Sequence, residues 1–226
     1  AAGVTGADNM LEGERGFGNA MSRDVDWQAA FAPLGSDDYT ITRMTQKNHC
    51  CCGHAFAGID AVLEIRKQVE LSADTVKKIH VSSYAKAREV CGNADPKTPY
   101  EAKFSLPYVA AMAALEGSVR LAAFTDAWLD DAALRALMAK VEVVVGADAE
   151  AAFPKHRSAT VTIEMIDGRQ FDFHAPTRRG DPDSPLTDQE LEDKFRELAG
   201  VVLDDQAQTA LIARVWAMDK EAAWIL

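Results

Sequence analysis

The stretch TRMTQKNHCCCGHAFAGIDAVLEIRK, Thr42 to Lys67, changes its period part-way along. Up to Lys47 the chain keeps a partial two-residue alternation through Tyr39, Ile41 and Arg43, which predicts a strand over 39–47. Beyond Gly53, the residues Phe56, Ile59, Ala61, Val62, Leu63 and Ile65 recur at helical spacing, which predicts a helix over 54–69. Between the two lies a polar knot, Asn48-His49-Cys50-Cys51-Cys52-Gly53-His54. A strand running into a helix through such a knot sets a cation, two imidazoles and three thiols at one junction.

Outward from this junction the pattern stays mixed. Val76–Val90 alternates through Ile79, Val81 and Ser83 and predicts a strand with a ragged end. Glu101–Leu115 predicts a helix closed by Gly117, with Pro107 kinking or restarting it. Asp130 or Asp131 caps a helix over 132–140, and the β-branched run Val141–Gly146 predicts a short strand. Ser158–Ile166 and Arg169–His174 flank Asp167-Gly168, a hairpin with an expected type I′ turn. Thr187 and Glu190 make a capping box for a helix over 188–199 that stops at Gly200. A second helix follows over 204–218, continued by 219–226. The fold class is α+β, a mixed sheet with flanking helices, and the helical material at both ends does not belong to the sheet.

Bulk properties narrow the function. The 226 residues are 48% hydrophobic and 26% charged, enough for one large or two small domains. A net charge of -11 repels nucleic acid and anionic lipid, so neither is expected as a partner. An anionic ligand therefore needs a local basic pocket. No apolar run reaches membrane-spanning length and the opening residues show no charged-then-apolar pattern, so neither a membrane span nor a signal peptide is expected within this sequence. Four cysteines, three of them consecutive, do not make a disulfide framework, so reduced thiols and a cytoplasmic location are expected.

Few residues read as chemistry. Three consecutive cysteines in extended chain point to alternate faces and do not easily share a metal with His49 and His54, so no metal is expected and the thiols read as small core residues. Lys47, at a strand end before a helix N-terminus, either clamps a carboxylate with help from the helix amides or extends to solvent. His49 adds a donor that becomes cationic near neutral pH. On the 101–115 helix, Ala102, Ser105 and Val109 share one side, while Lys103 and Tyr108 lie on another. Tyr108 is either packing or a hydroxyl aimed into a pocket. Arg178-Arg179, before Gly180-Asp181-Pro182, either binds an anion or, as the favoured reading, belongs to a solvated loop.

Four blocks, LEGERGFGNAMS at 11–22, QKNHCCCGHAFAGIDAVLEI at 46–65, YEAKFSLPYVAAMAALEG at 100–117 and TRRGDPDSPLTDQELEDKFRELA at 177–199, resemble the MmgE/PrpD family in order and spacing. The resemblance implies an enzyme with no metal or organic cofactor, built from an all-α domain and an α+β lid with the active site between them. It implies residues 1–29 as the end of the helical domain's first segment, 30–180 as the lid, and 181–226 as helices returning to the helical domain. Lys47 matches the family's lid lysine and Tyr108 its lid tyrosine in the F-S-x-x-Y-V-A pattern. These two are the expected catalytic residues, with Lys47, His49 and Lys103 as substrate-binding residues. The implied reaction removes a proton next to a carboxylate of a small polycarboxylate. Water loss of the 2-methylcitrate dehydratase type is favoured over decarboxylation of the cis-aconitate type or epimerisation of the iminodisuccinate type. The family's proton-transferring histidines and aspartate have no counterpart here, so the base is expected outside this chain, and His49 and His54 are not read as replacing it. The chain opens at Ala1 without Met and reads as the C-terminal portion of a longer protein. Alone it is expected to be inactive, and the complete protein is expected to be a homodimer.

Overall fold

The computed structural model describes residues 3, 5–37 and 39–220. The chain divides into two compact units, residues 1–43 and 44–226. The first holds two short helices, α1 (Phe17–Met21) and α2 (Trp27–Phe31), and a 3-10 turn over Thr40–Arg43. Asp26 caps α2 by accepting from the Ala29 amide at 2.9 Å, and Trp27 stacks on Phe31 with ring centres 5.8 Å apart. The strand expected over 39–47 does not form: Thr40–Arg43 is a 3-10 turn and 44–48 is irregular. Tyr39 and Ile41 are exposed, so their alternation has no sheet face to bury and no burial to fix it.

The second unit is built on four strands: β1 (Val76–Ser83), β2 (Val141–Val145), β3 (Ala159–Met165) and β4 (Gln170–Ala175). Their order is β2-β1-β3-β4. β1 runs parallel to β2, with Ile79 opposite Val141, and antiparallel to β3, with Val81 opposite Val161. β4 pairs antiparallel to β3, with Phe173 opposite Val161. The nine other helices are α3 (Phe56–Arg66), α4 (Ala85–Cys91), α5 (Pro99–Ala102), α6 (Leu106–Glu116), α7 (Asp126–Leu129), α8 (Ala132–Met138), α9 (Ala147–Ala152), α10 (Asp188–Ala199) and α11 (Asp205–Trp216). Eleven helices among the described residues with one mixed sheet make the expected α+β fold.

Period-two burial along β1 and β3 puts Val76, Ile79, Val81, Val161 and Ile163 on one face, in one core with Phe56, Ile59, Val62 and Ile65 of α3. Each large apolar side chain buried this way stabilises the fold by about 1.5–3 kcal/mol. The other face is polar, with Lys78 paired to Glu142 at 2.7 Å and Thr162 donating to Asp172 at 2.5 Å. From Leu106 to Ala114 every residue of α6 is buried, and its four alanines let neighbours approach closely.

Ser105 starts α6 afresh, its hydroxyl accepting from the Tyr108 amide at 3.1 Å, so the predicted 101–115 helix is two helices with Pro107 in the first turn of the second. Gly117 ends α6 at φ +71° and Asp131 caps α8. The Thr187/Glu190 capping box is present. The strand predicted over 76–90 stops at Ser83, where Ala85–Cys91, rich in helix formers, turns helical. The β3–β4 turn has positive φ at Gly168 alone, not at two residues as type I′ requires. After α11 a 3-10 turn covers Met218–Lys220, and the expected continuation over 221–226 lies outside the described residues. No helix among the described residues is long and apolar enough to cross a membrane.

Candidate functional site

The thiol loop is stitched to two distant segments by its own backbone. The Cys50 amide donates to the Val119 carbonyl at 3.0 Å and the Cys52 amide to the Lys103 carbonyl at 2.9 Å. These bonds bring Lys103 and Arg120 up to the loop that Lys47 opens.

The segment before the loop is held from its other side. The Gln46 amide donates to the Gly180 carbonyl at 2.8 Å. Gly180 sits at φ +103°, and a Cβ there would come 2.0 Å from the Gln46 carbonyl oxygen. Thr45 donates to Asp181 at 2.6 Å, and Arg178 forks the same carboxylate at 2.6 and 3.0 Å. Burial alone would raise the Asp181 carboxyl, but hydrogen bonds from Arg178, Thr45 and Thr177 hold it down at about 2. Arg179 pairs with Glu190, holding that carboxyl at about 2. Arg178 and Arg179 are thus structural ties rather than a solvated loop.

The product is a concavity of about 540 Å³ between the thiol loop, α5, the 120–121 segment and α10. Four cations line it, Lys47, Lys103, Arg120 and Lys194, against one carboxylate, Glu197. Tyr100, Phe104, Leu121 and Leu198 supply apolar wall. Lys194 donates to the Lys47 carbonyl at 2.6 Å. Arg120 donates through Nη2 to Asn48 Oδ1 at 3.1 Å, and its Nε lies 3.8 Å from Glu197. Its Nη1 is buried with no hydrogen-bond partner among the described residues. Neither the Lys47 nor the Lys103 amine has a hydrogen-bond or ion-pair partner among the described residues, though Lys103 Nζ lies 5.6 Å from the Phe124 ring centre.

Three of the four expected site residues, Lys47, His49 and Lys103, line this concavity, and Tyr108 does not. Lys47 is exposed, on irregular chain rather than a strand end, and eight residues separate it from the start of α3, so it does not directly precede the helix N-terminus. His49 is buried, with Nε2 2.8 Å from Asp60 Oδ1. Tyr108 is fully buried, and its hydroxyl donates to the Ala123 carbonyl at 2.7 Å. Of the thiols, Cys51 is buried and burial pushes it up, as expected of a core residue, whereas Cys50 and Cys52 are half-buried on the concavity wall. Among the described residues no three His, Cys, Asp or Glu side chains converge as a metal site. Sequence reading missed Arg120, Lys194 and Glu197. The signal for the last two was the capping box, which fixes a helix on which they stand three residues apart and share a face.

Residues 49–218 match the MmgE/PrpD C-terminal domain. The chain belongs to the MmgE/PrpD family. The match takes in His49, Lys103, Tyr108, Arg120 and Lys194, and Lys47 stands two residues before it. The chain is also 28% identical to human cis-aconitate decarboxylase over 117 residues, 52% of this chain. It spans about a quarter, 24%, of that relative's length.

Proposed function

We propose that this chain supplies the carboxylate-binding wall of an MmgE/PrpD enzyme that takes a small polycarboxylate and acts through proton removal next to a carboxylate. The observation that carries this reading is the charge around the concavity, four cations to one carboxylate in a chain of net charge -11. Like charges gathered in one cleft repel, and an anion with several carboxylates relieves that repulsion. A buried, unpartnered Arg120 Nη1 costs about 1–3 kcal/mol, which a movement of the side chain onto a carboxylate oxygen would recover.

Proton removal leaves negative charge spread over the adjacent carboxylate, and cations fixed beside it stabilise that charge. Lys47 and Lys103, whose amines have no protein partner among the described residues, take this role, with Arg120 orienting a second carboxylate. Tyr108 enters as the residue that holds Ala123 and Phe124 under Lys103, rather than as a proton relay. Water elimination of the 2-methylcitrate dehydratase type remains the favoured reaction. The similarity to human cis-aconitate decarboxylase favours decarboxylation as the second reading. Both share the proton step. The reading also pairs this wall with the all-α half of the family fold and with a second copy of the complete protein. It is supported there by the apolar residues that α10 and α11 leave exposed, Leu198, Val215 and Trp216. The test is product analysis by NMR with 2-methylcitrate and cis-aconitate offered to the complete protein. Conversion of neither removes the reaction assignment.

A further inference from the structure

We propose that the cationic concavity selects polycarboxylates that carry a hydrocarbon arm larger than a methyl group, and that Tyr100, Leu121 and Leu198 are its specificity-determining residues. This rests on the reading of that concavity as a carboxylate site. The three are large apolar side chains left 71%, 45% and 44% exposed, and all three line the one concavity. Exposed apolar side chains scattered singly need no reason, but several gathered on one wall mark a binding surface. Cys50 and Cys52, half-buried on the same wall, extend it, because free thiols behave as small apolar groups.

Each apolar residue stands beside a cation. Tyr100 and Phe104 flank Lys103 in sequence, and their ring centres are 5.3 Å apart. Leu121 follows Arg120, and its amide donates to Glu197 Oε1 at 3.0 Å, which ties it to α10. Lys194 and Leu198 are four positions apart on α10 and share a face. Cation and hydrocarbon therefore alternate around the concavity. A ligand whose carboxylates reach Lys103, Arg120 and Lys194 lies against Tyr100, Leu121 and Leu198.

An unsubstituted polycarboxylate satisfies the cations and leaves these side chains in water. A hydrocarbon arm takes them out of water together with itself, and each methylene buried this way is worth about fourfold in affinity. A ring on the arm gains a further contact with the faces or edges of Tyr100 and Phe104. There is room for it: about 540 Å³ falls within the range of about 300–1,000 Å³ typical of small-molecule sites. The arm carries no charge, so its contribution adds to the salt-dependent attraction of the cations without altering it.

The experiment titrates the complete protein by calorimetry with propane-1,2,3-tricarboxylate and with its 1-methyl and 1-benzyl derivatives, which carry the same charge. The benzyl derivative is expected to bind on the order of tenfold or more tighter than the methyl derivative. Added salt should weaken all three ligands alike and preserve that ratio. Tyr100→Ala and Leu198→Ala should each cut the ratio severalfold. Both side chains are exposed, so neither substitution empties the core, and a general loss of structure would weaken the ligands together and leave the ratio unmoved. Benzyl binding no tighter than methyl binding, or a ratio that survives both substitutions, overturns the specificity and leaves the carboxylate reading standing. No saturable binding of the unsubstituted tricarboxylate overturns both.

Discussion

The Tyr108 hydroxyl donates to the Ala123 carbonyl at 2.7 Å, and the ring of the next residue, Phe124, stacks on the phenol at 6.0 Å. Lys103 Nζ sits 5.6 Å from the same Phe124 ring centre, so a fully buried tyrosine sets the shelf beneath a cation of the concavity. Burial pushes the phenol up to about 12, and it keeps its proton across the physiological range.

Tyr108→Phe leaves the Ala123 carbonyl without that donor in the core. The expected loss is about 1–3 kcal/mol of unfolding free energy, measured by urea denaturation. Polycarboxylate affinity should change far less than in a Lys103 variant, because Tyr108 does not line the concavity. An affinity loss equal to that of Lys103→Met would restore the phenol as a ligand contact.

Gly180→Ala forces a side chain into φ +103° and against the Gln46 carbonyl. The left-handed strain alone costs about 1–3 kcal/mol, and the backbone clash adds to it. The segment carrying Lys47 must shift, so thermal stability and polycarboxylate affinity should fall together. A neutral effect on both would show that the 44–48 segment is not anchored through Gly180.

Acid should loosen the 177–190 region. Asp181 and Glu190 are held at about 2 when folded, against ordinary values of 3.8 and 4.5. The unfolded chain therefore binds these protons first. Their stabilisation is complete above pH 4.5 and is lost as pH falls from 4.5 toward 2. Denaturant titrations across this window should show stability falling with pH, and Glu190→Gln should flatten part of the slope. An unchanged slope in that variant contradicts the Arg179–Glu190 tie.

Residues with short-range instructions were legible. Thr187 and Glu190 specify a helix start three residues apart, Asp131 caps α8, and Gly117 ends α6 because it adopts positive φ. What failed depended on neighbours. Tyr39 and Ile41 alternate like a strand, but no burial fixes that alternation, while the alternation through Ile79, Val81 and Ser83 hides the switch to helix at Ala85–Cys91. The site divided the same way. Lys47, His49 and Lys103 stand in recognisable blocks. Arg120, Lys194 and Glu197 meet them only through tertiary hydrogen bonds, one of them spanning 147 positions of sequence from Lys194 to Lys47.

The central claim is that the four cations bind a polycarboxylate, and calorimetric titration with propane-1,2,3-tricarboxylate tests it most directly. Saturable binding is expected that weakens as salt rises. Lys47→Met and Lys103→Met should each cost on the order of 10- to 10²-fold, the worth of one charged hydrogen bond of about 1.5–3 kcal/mol. No saturable binding, or equal affinity in wild type and both variants, would contradict the account.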